Sequence, residues 1–327
     1  MAPPPRSRDL VRHLVAGLTV GLLALAAREA RAQLYVRTLV PDRTDLCVVW
    51  PGREYVYQLD AAGSSRTPGD SEFAAIDAAV GSWRALSATC SDYAFTRGPD
   101  IQDPQVGYDK DSKDNQNVIT FRESDCNDVV PADAPCLADD TCANVYKCWE
   151  HGSFVIGLTT TTFSFRTGYI LDADIELNAA GEGRGFLFTT VDSPPCGWDG
   201  DSSPSTDCVA ADVQNTVTHE MGHVIGLDHV FSSEAVGSTM EPTAPPGETH
   251  KRIIDAGSAE GFCSAYPRGL PPTQCGESPT LGRHFLTRSV GTGCGAAPQS
   301  LLGPAGILLA GWGAGRRRRQ AGRGPRG

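Results

Sequence analysis

Residues 212–229 read Asp212-Val213-Gln214-Asn215-Thr216-Val217-Thr218-His219-Glu220-Met221-Gly222-His223-Val224-Ile225-Gly226-Leu227-Asp228-His229. A helix turns about 100° per residue, so His219 and His223 stand about 40° apart on one face, one turn above the other. Val213, Val217 and Val224 gather on roughly the opposite side, where they can pack on a core. Asp212 is of the residue type that caps a helix N-terminus, and Gly226 suits the left-handed position that ends one. A turn at Gly226 brings His229 back toward the other two imidazoles. Three neutral imidazoles at about 2.0–2.1 Å leave a tetrahedral Zn²⁺ one open position, as in a catalytic site rather than a closed structural one. A water in that position gives up its proton more readily, and Glu220 is the carboxylate available to take it. A lone histidine on such a helix is usually a hydrogen-bonded core residue. Here three of the chain's seven histidines fall in eleven residues, with Glu220 and Gly226 at the required offsets.

The pattern His219-Glu220-x-x-His223-x-x-Gly226-x-x-His229 is the long zinc signature of the metzincin metallopeptidases, which also calls for a methionine turn downstream. Gly237-Ser-Thr-Met240-Glu-Pro242 stands where that turn belongs, and Met240 is one of only three methionines in the chain. Within the clan the chain resembles the matrixins, the matrix metalloproteinases and their bacterial relatives. The resemblance implies an α+β fold of the metzincin type: a twisted mixed sheet, a backing helix, an active-site zinc helix and a C-terminal helix. It also implies a zinc-dependent endopeptidase acting on a protein or peptide substrate. His219, His223 and His229 would hold the metal, Glu220 would act as the base, and Met240 would form a hydrophobic floor. The alternative from another class is a surface-displayed binding or adhesion module with a non-catalytic zinc site. Glu220 discriminates, since a purely structural site needs no carboxylate at that offset.

Both ends of the 327-residue chain read as removable. Residues 1–32 combine Arg6, Arg8 and Arg12 with an apolar run over 14–27 and Ala30-Arg31-Ala32, the three parts of an export signal. The run is short for a membrane span of about 20 residues. A matrixin-like body is expected over 33–268 and a Pro/Gly-rich linker over 269–293. The segment 294–327 carries Cys294, an apolar stretch over 301–312 and Arg316 to Arg319. It resembles the myxobacterial-type C-terminal sorting tail, which implies processing near Cys294 and display at the cell surface; an ordinary membrane anchor, or a tail without function, is the alternative. Contact with a membrane is expected only through this tail, before processing or as an anchor. Ten of the eleven cysteines lie between Gln33 and Cys275, which in an exported body suggests up to five disulfides. Cys126, Cys136, Cys142 and Cys148 could form a zinc knuckle with His151, but their spacings lack the close pairs of such sites, and disulfides are favoured. The formal net charge is −11, and with five arginines in 1–32 and six in 295–327 the body between is more acidic still. Such a body repels nucleic acid, so no nucleic-acid partner is expected.

Along the body, strands are expected over 55–59, 93–95, 117–121, 153–165 and 170–178. Phe73, Ile76, Ala79, Val80, Trp83 and Leu86 recur at helical spacing, so residues 71–86 form an amphipathic helix. Residues 179–211 read as a disulfide-tied loop, and 253–266 as a final helix. Asp109, Asp111, Asp114 and Asn115 suggest calcium, but Lys113 stands where an oxygen ligand is needed, so a solvated loop is favoured. Asp172, Asp174 and Glu176 share one face of a strand. They resemble the acidic segment that binds calcium in matrixins, and calcium is a candidate second ion there; the family's second zinc lacks its histidines. In matrixins the strand before this one lines the cleft, where an extended peptide adds as a further strand. The Pro-rich loop 242–247 is in that family the wall of the pocket for the side chain after the scissile bond. Matrixins commonly carry a propeptide whose cysteine blocks the zinc. Residues 33–55 are too few for one, and Cys47 lacks its flanking pattern.

Overall fold

The computed structural model describes residues 35–275 apart from 113, 182–184, 198–204 and 232–235, together with 295–296. The export signal expected at 1–32, Cys294 and the apolar and arginine segments of the tail lie outside the described residues.

A five-stranded sheet frames the body. Its strands are β1 (Glu54–Leu59), β2 (Ala94–Arg97), β3 (Asn117–Arg122), β4 (Gly157–Phe163) and β5 (Ile170–Asn178), in the spatial order β2-β1-β3-β5-β4. The first four in that order pair in parallel. β4 runs antiparallel to β5, with Gly157 opposite Leu177 and Phe163 opposite Ile170. It is the sheet's edge strand, so half of its backbone groups are unpaired by the sheet and can receive another chain. The fold is therefore mixed α+β.

Among the described residues, three helices of ten residues or more accompany the sheet: α1 (Ser71–Ser87), α2 (Val213–Val224) and α3 (Ala256–Ala265). The helical spacing read in the sequence is used as expected, since Ile76, Ala79, Val80 and Trp83 of α1 are all buried. One apolar cluster joins them to Tyr57, Ile119, Ile175 and Leu177 of the sheet and to Val213, Val217 and Val224 of α2. Each such aliphatic or aromatic side chain contributes about 1.5–3 kcal/mol by leaving water, so this cluster dominates the stability. The Trp83 indole donates to the Thr218 carbonyl at 2.9 Å and clamps α1 to α2.

The element boundaries differ from expectation in identifiable ways. The strand expected over 153–165 is confined to Gly157–Phe163, because Val155 closes a turn onto Gly152 before it and Gly168 closes one onto Ser164 after it. The strand expected at 93–95 sits at Ala94–Arg97. The last helix begins at Ala256 because Asp255 caps it, accepting from the Gly257 and Ser258 amides. The loop over 179–211 contains a short strand, Phe188–Thr189, that pairs in parallel with Ala211–Asp212 just before α2.

All ten described cysteines pair: Cys47–Cys275, Cys90–Cys263, Cys126–Cys148, Cys136–Cys142 and Cys196–Cys208. The pairing removes the zinc-knuckle alternative. Five disulfides mark an oxidising, extracellular-type environment. Among the described residues no helix is long and apolar enough to cross a membrane. Cys47 is bonded to Cys275, so its sulfur is engaged away from the histidines. The same bond ties residues beyond 268 to the start of the body. The folded body continues through Cys275, with the Thr273 amide donating to Ala265 and the Gln274 side chain to Thr167. Beyond it, residues 295–296 pair in parallel with Thr243–Ala244.

Candidate metal centre

α2 starts where Asp212 accepts the Asn215 amide at 2.6 Å, the N-cap expected from its residue type. The chain leaves the helix, which ends at Val224, through Gly226, whose φ of +87° lies in the left-handed region. A side chain there is excluded twice: it would be strained at that φ, and its Cβ would collide with the Val48 carbonyl. The turn returns the chain so that His229 meets the face carrying His219 and His223.

The three imidazoles converge. Each pair of Nε2 atoms, His219–His223, His219–His229 and His223–His229, is separated by 3.2 Å. Ligands of a tetrahedral ion at about 2.0–2.1 Å stand about 3.3 Å apart, so this spacing fits a zinc-sized cation. The tautomers are also set. His219 Nδ1 faces the Thr239 carbonyl at 2.6 Å and His223 Nδ1 faces the Leu227 carbonyl at 2.9 Å. A carbonyl only accepts, so Nδ1 carries the proton in both rings and Nε2 presents its lone pair. Burial disfavours protonation throughout. It pushes His219 well below its usual value, with help from His223 and His229, lowers His223, and takes His229 to about 2. Neutral imidazole is the ligating form. Among the described residues, this is the one cluster of three or more His, Cys, Asp or Glu donors close enough to share an ion.

Glu220 and Met240 complete the centre. Glu220 is fully buried, and its Oε2 accepts from the Thr159 hydroxyl of β4 at 2.7 Å. Met240 is fully buried against the helix backbone at Gly222, where an added Cβ would collide with Met240 Sδ. Its carbonyl accepts the Val230 amide at 3.0 Å, tying the methionine turn to the segment just after His229. Phe231 stands edge-on to the His229 ring with centroids 5.8 Å apart, and is largely exposed.

The acidic face of β5 is buried rather than gathered around an ion. Asp174 accepts the Gly107 amide at 2.6 Å and the Val118 amide at 2.7 Å. Glu176 pairs with Arg122 at 2.6 Å. Asp172 is buried with neither carboxylate oxygen hydrogen-bonded. Among the described residues, the donor atoms of these three, weighed as a possible calcium site, are not close enough together to share an ion. The loop holding Asp109 and Asn115 spends its side chains on its own backbone: Asn115 accepts from and donates to the Asp109 main chain at 2.7 Å in both directions.

Sequence reading missed Thr159, Thr239 and Asp255. Period-two alternation along β4 does place Thr159 on one face with Gly157, but nothing in the sequence says that face meets Glu220. Compared with known families and curated sequences, the chain matches no protein-family model and no curated protein.

Proposed function

We propose that this chain is an exported zinc endopeptidase with a metzincin-type fold, nearest in kind to the matrixins. The observation that carries the reading is the set of three Nε2 atoms 3.2 Å apart on neutral imidazoles, those of His219 and His223 buried and that of His229 partly so, followed in the chain by the methionine turn. Next to His219 stands a buried carboxylate. His219, His223 and His229 hold Zn²⁺. When bound, the ion supplies Lewis acidity that polarises a peptide carbonyl and acidifies a water. Glu220 takes the proton of the attacking water and passes it to the departing amine. Met240 floors the site. The edge of β4 aligns an extended substrate by main-chain hydrogen bonds. Export follows from residues 1–32 and agrees with five disulfides; residues 294–327 hold the protein at the surface or are cut near Cys294.

The test is Glu220→Ala in the purified protein. Zinc content by elemental analysis is expected to be unchanged, while cleavage of casein or a peptide library is lost. Equal cleavage with and without the change removes Glu220 from the chemistry. Bound zinc with no turnover by the unaltered protein points instead to the adhesion module.

A further inference from the structure

We propose that Thr159 is a positioning residue that holds the Glu220 carboxylate in place from the cleft-lining strand, an inference that rests on the peptidase reading. Thr159 is buried in the middle of β4. Its hydroxyl lies 2.7 Å from Glu220 Oε2 and 3.1 Å from the Glu220 carbonyl. A hydroxyl has one proton to donate, and the shorter contact, to a carboxylate, is the stronger acceptor. A β-branched side chain in a strand has a stiff χ1, so the direction of this donor is set by the backbone of β4. Valine would fill the same volume and suit a strand equally well. The hydroxyl therefore has no packing purpose, and a buried hydroxyl costs stability unless it is bonded.

The other carboxylate oxygen meets a second feature of the same strand. A Cβ at Gly157 would stand 3.1 Å from Glu220 Oε1, 3.3 Å from Glu220 Cγ and 3.0 Å from Thr216 Cγ2. Any side chain there crowds the carboxylate, and glycine leaves it room. One strand thus restrains Oε2 through Thr159 and clears space at Oε1 through Gly157. The element that receives the substrate chain also sets the base, so the peptide and the group that deprotonates the water share one frame. A carboxylate held in a single orientation avoids the loss of rate that a freely rotating one incurs.

The experiment compares Thr159→Val and Thr159→Ser with the unaltered protein, alone and combined with Glu220→Ala. Thr159→Val is expected to keep its zinc and its KM while kcat falls by about 10- to 100-fold, the range for a lost hydrogen bond to a charged group. Thr159→Ser, which keeps the donor, restores most of that rate, and Thr159→Val adds nothing once Glu220 is alanine. A crystal structure of the metal-free Thr159→Val protein is expected to show the carboxylate turned away from its present position. An unchanged kcat with the carboxylate in place overturns the proposal, as does a serine variant as slow as valine. If the unaltered zinc-loaded protein cleaves nothing, the peptidase reading fails by itself, and the crystallographic comparison still decides whether Thr159 holds Glu220. Should the valine variant not fold, Thr159→Ala takes its place in every measurement.

Discussion

Asp255 accepts the Thr239 amide proton at 2.8 Å through Oδ2, while its other oxygen caps α3 by accepting from Gly257 at 2.9 Å. The carbonyl of that same Thr239 stands 2.6 Å from His219 Nδ1. One carboxylate therefore connects the start of the last helix, the methionine turn and the first histidine. Burial alone would raise the Asp255 carboxyl, but hydrogen bonds from Ser258, Thr239 and Ser238 outweigh it and hold the group below its usual value. Replacing it with alanine removes a helix cap worth about 1 kcal/mol and loosens the group that orients His219. On the proposed zinc reading, Asp255→Ala is expected to weaken metal binding by up to about 10-fold, the lower end of the effect of losing a direct partner of a ligand, since Asp255 acts on His219 only through Thr239. Chelator competition measures it.

Gly222→Ala inserts a Cβ into the space filled by Met240 Sδ and leaves it 2.9 Å from Met240 Cε. The helix backbone gains propensity from alanine, but the clash wins because overpacking a dense core costs about 1–3 kcal/mol. Thermal unfolding is expected to move down by several degrees. Met240→Leu keeps the volume and should cost under about 1.5 kcal/mol. A Gly222→Ala protein as stable as the original would show that Met240 is not packed on the helix.

Asp172 provides a pH dependence of definite sign. Burial raises its carboxyl to about 6 against an ordinary 3.8, and burial raises the Asp174 carboxyl beside it as well. The folded state thus binds more protons than the unfolded chain between these values, so this group's contribution is present at low pH and is lost as pH rises through about 6. Asp172→Asn is expected to stabilise the protein at pH 8 by about 1–2 kcal/mol and to do little at pH 4. Melting curves at the two pH values check this. A variant that destabilises equally at both values contradicts the neutral carboxyl.

Cutting the chain at residue 268 removes Cys275 and frees Cys47. A crosslink between residues 228 apart limits the unfolded chain by up to about 5 kcal/mol on loop-entropy grounds. A protein ending at 268 is therefore expected to unfold at a markedly lower temperature than one that keeps residues 269–297, under non-reducing conditions. Equal melting temperatures would mean that the bond adds nothing to the body.

The parts legible in the sequence are those carried by neighbouring residues. Helical spacing alone sets His219 over His223, the N-cap at Asp212 and the apolar face of α1. A glycine at 226 announces the turn because only that residue type takes the left-handed conformation cheaply. Alternation over 55–59 and 170–178 and β-branched, aromatic content over 153–165 located strands, although the last was shortened where turns such as Gly152–Val155 closed first. The cysteine count predicted how many bonds form, and nothing local says which sulfurs meet across 228 or 173 positions. Tertiary structure decided the rest: that Thr239 presents its carbonyl to His219, that Asp255 steadies it, that Thr159 reaches Glu220 across 61 positions, and that the acidic face of β5 is buried. The physical reason is that a helix or strand is specified by interactions a few residues apart. Contacts between elements depend instead on how the shared core of sheet, α1 and α2 brings distant segments into register.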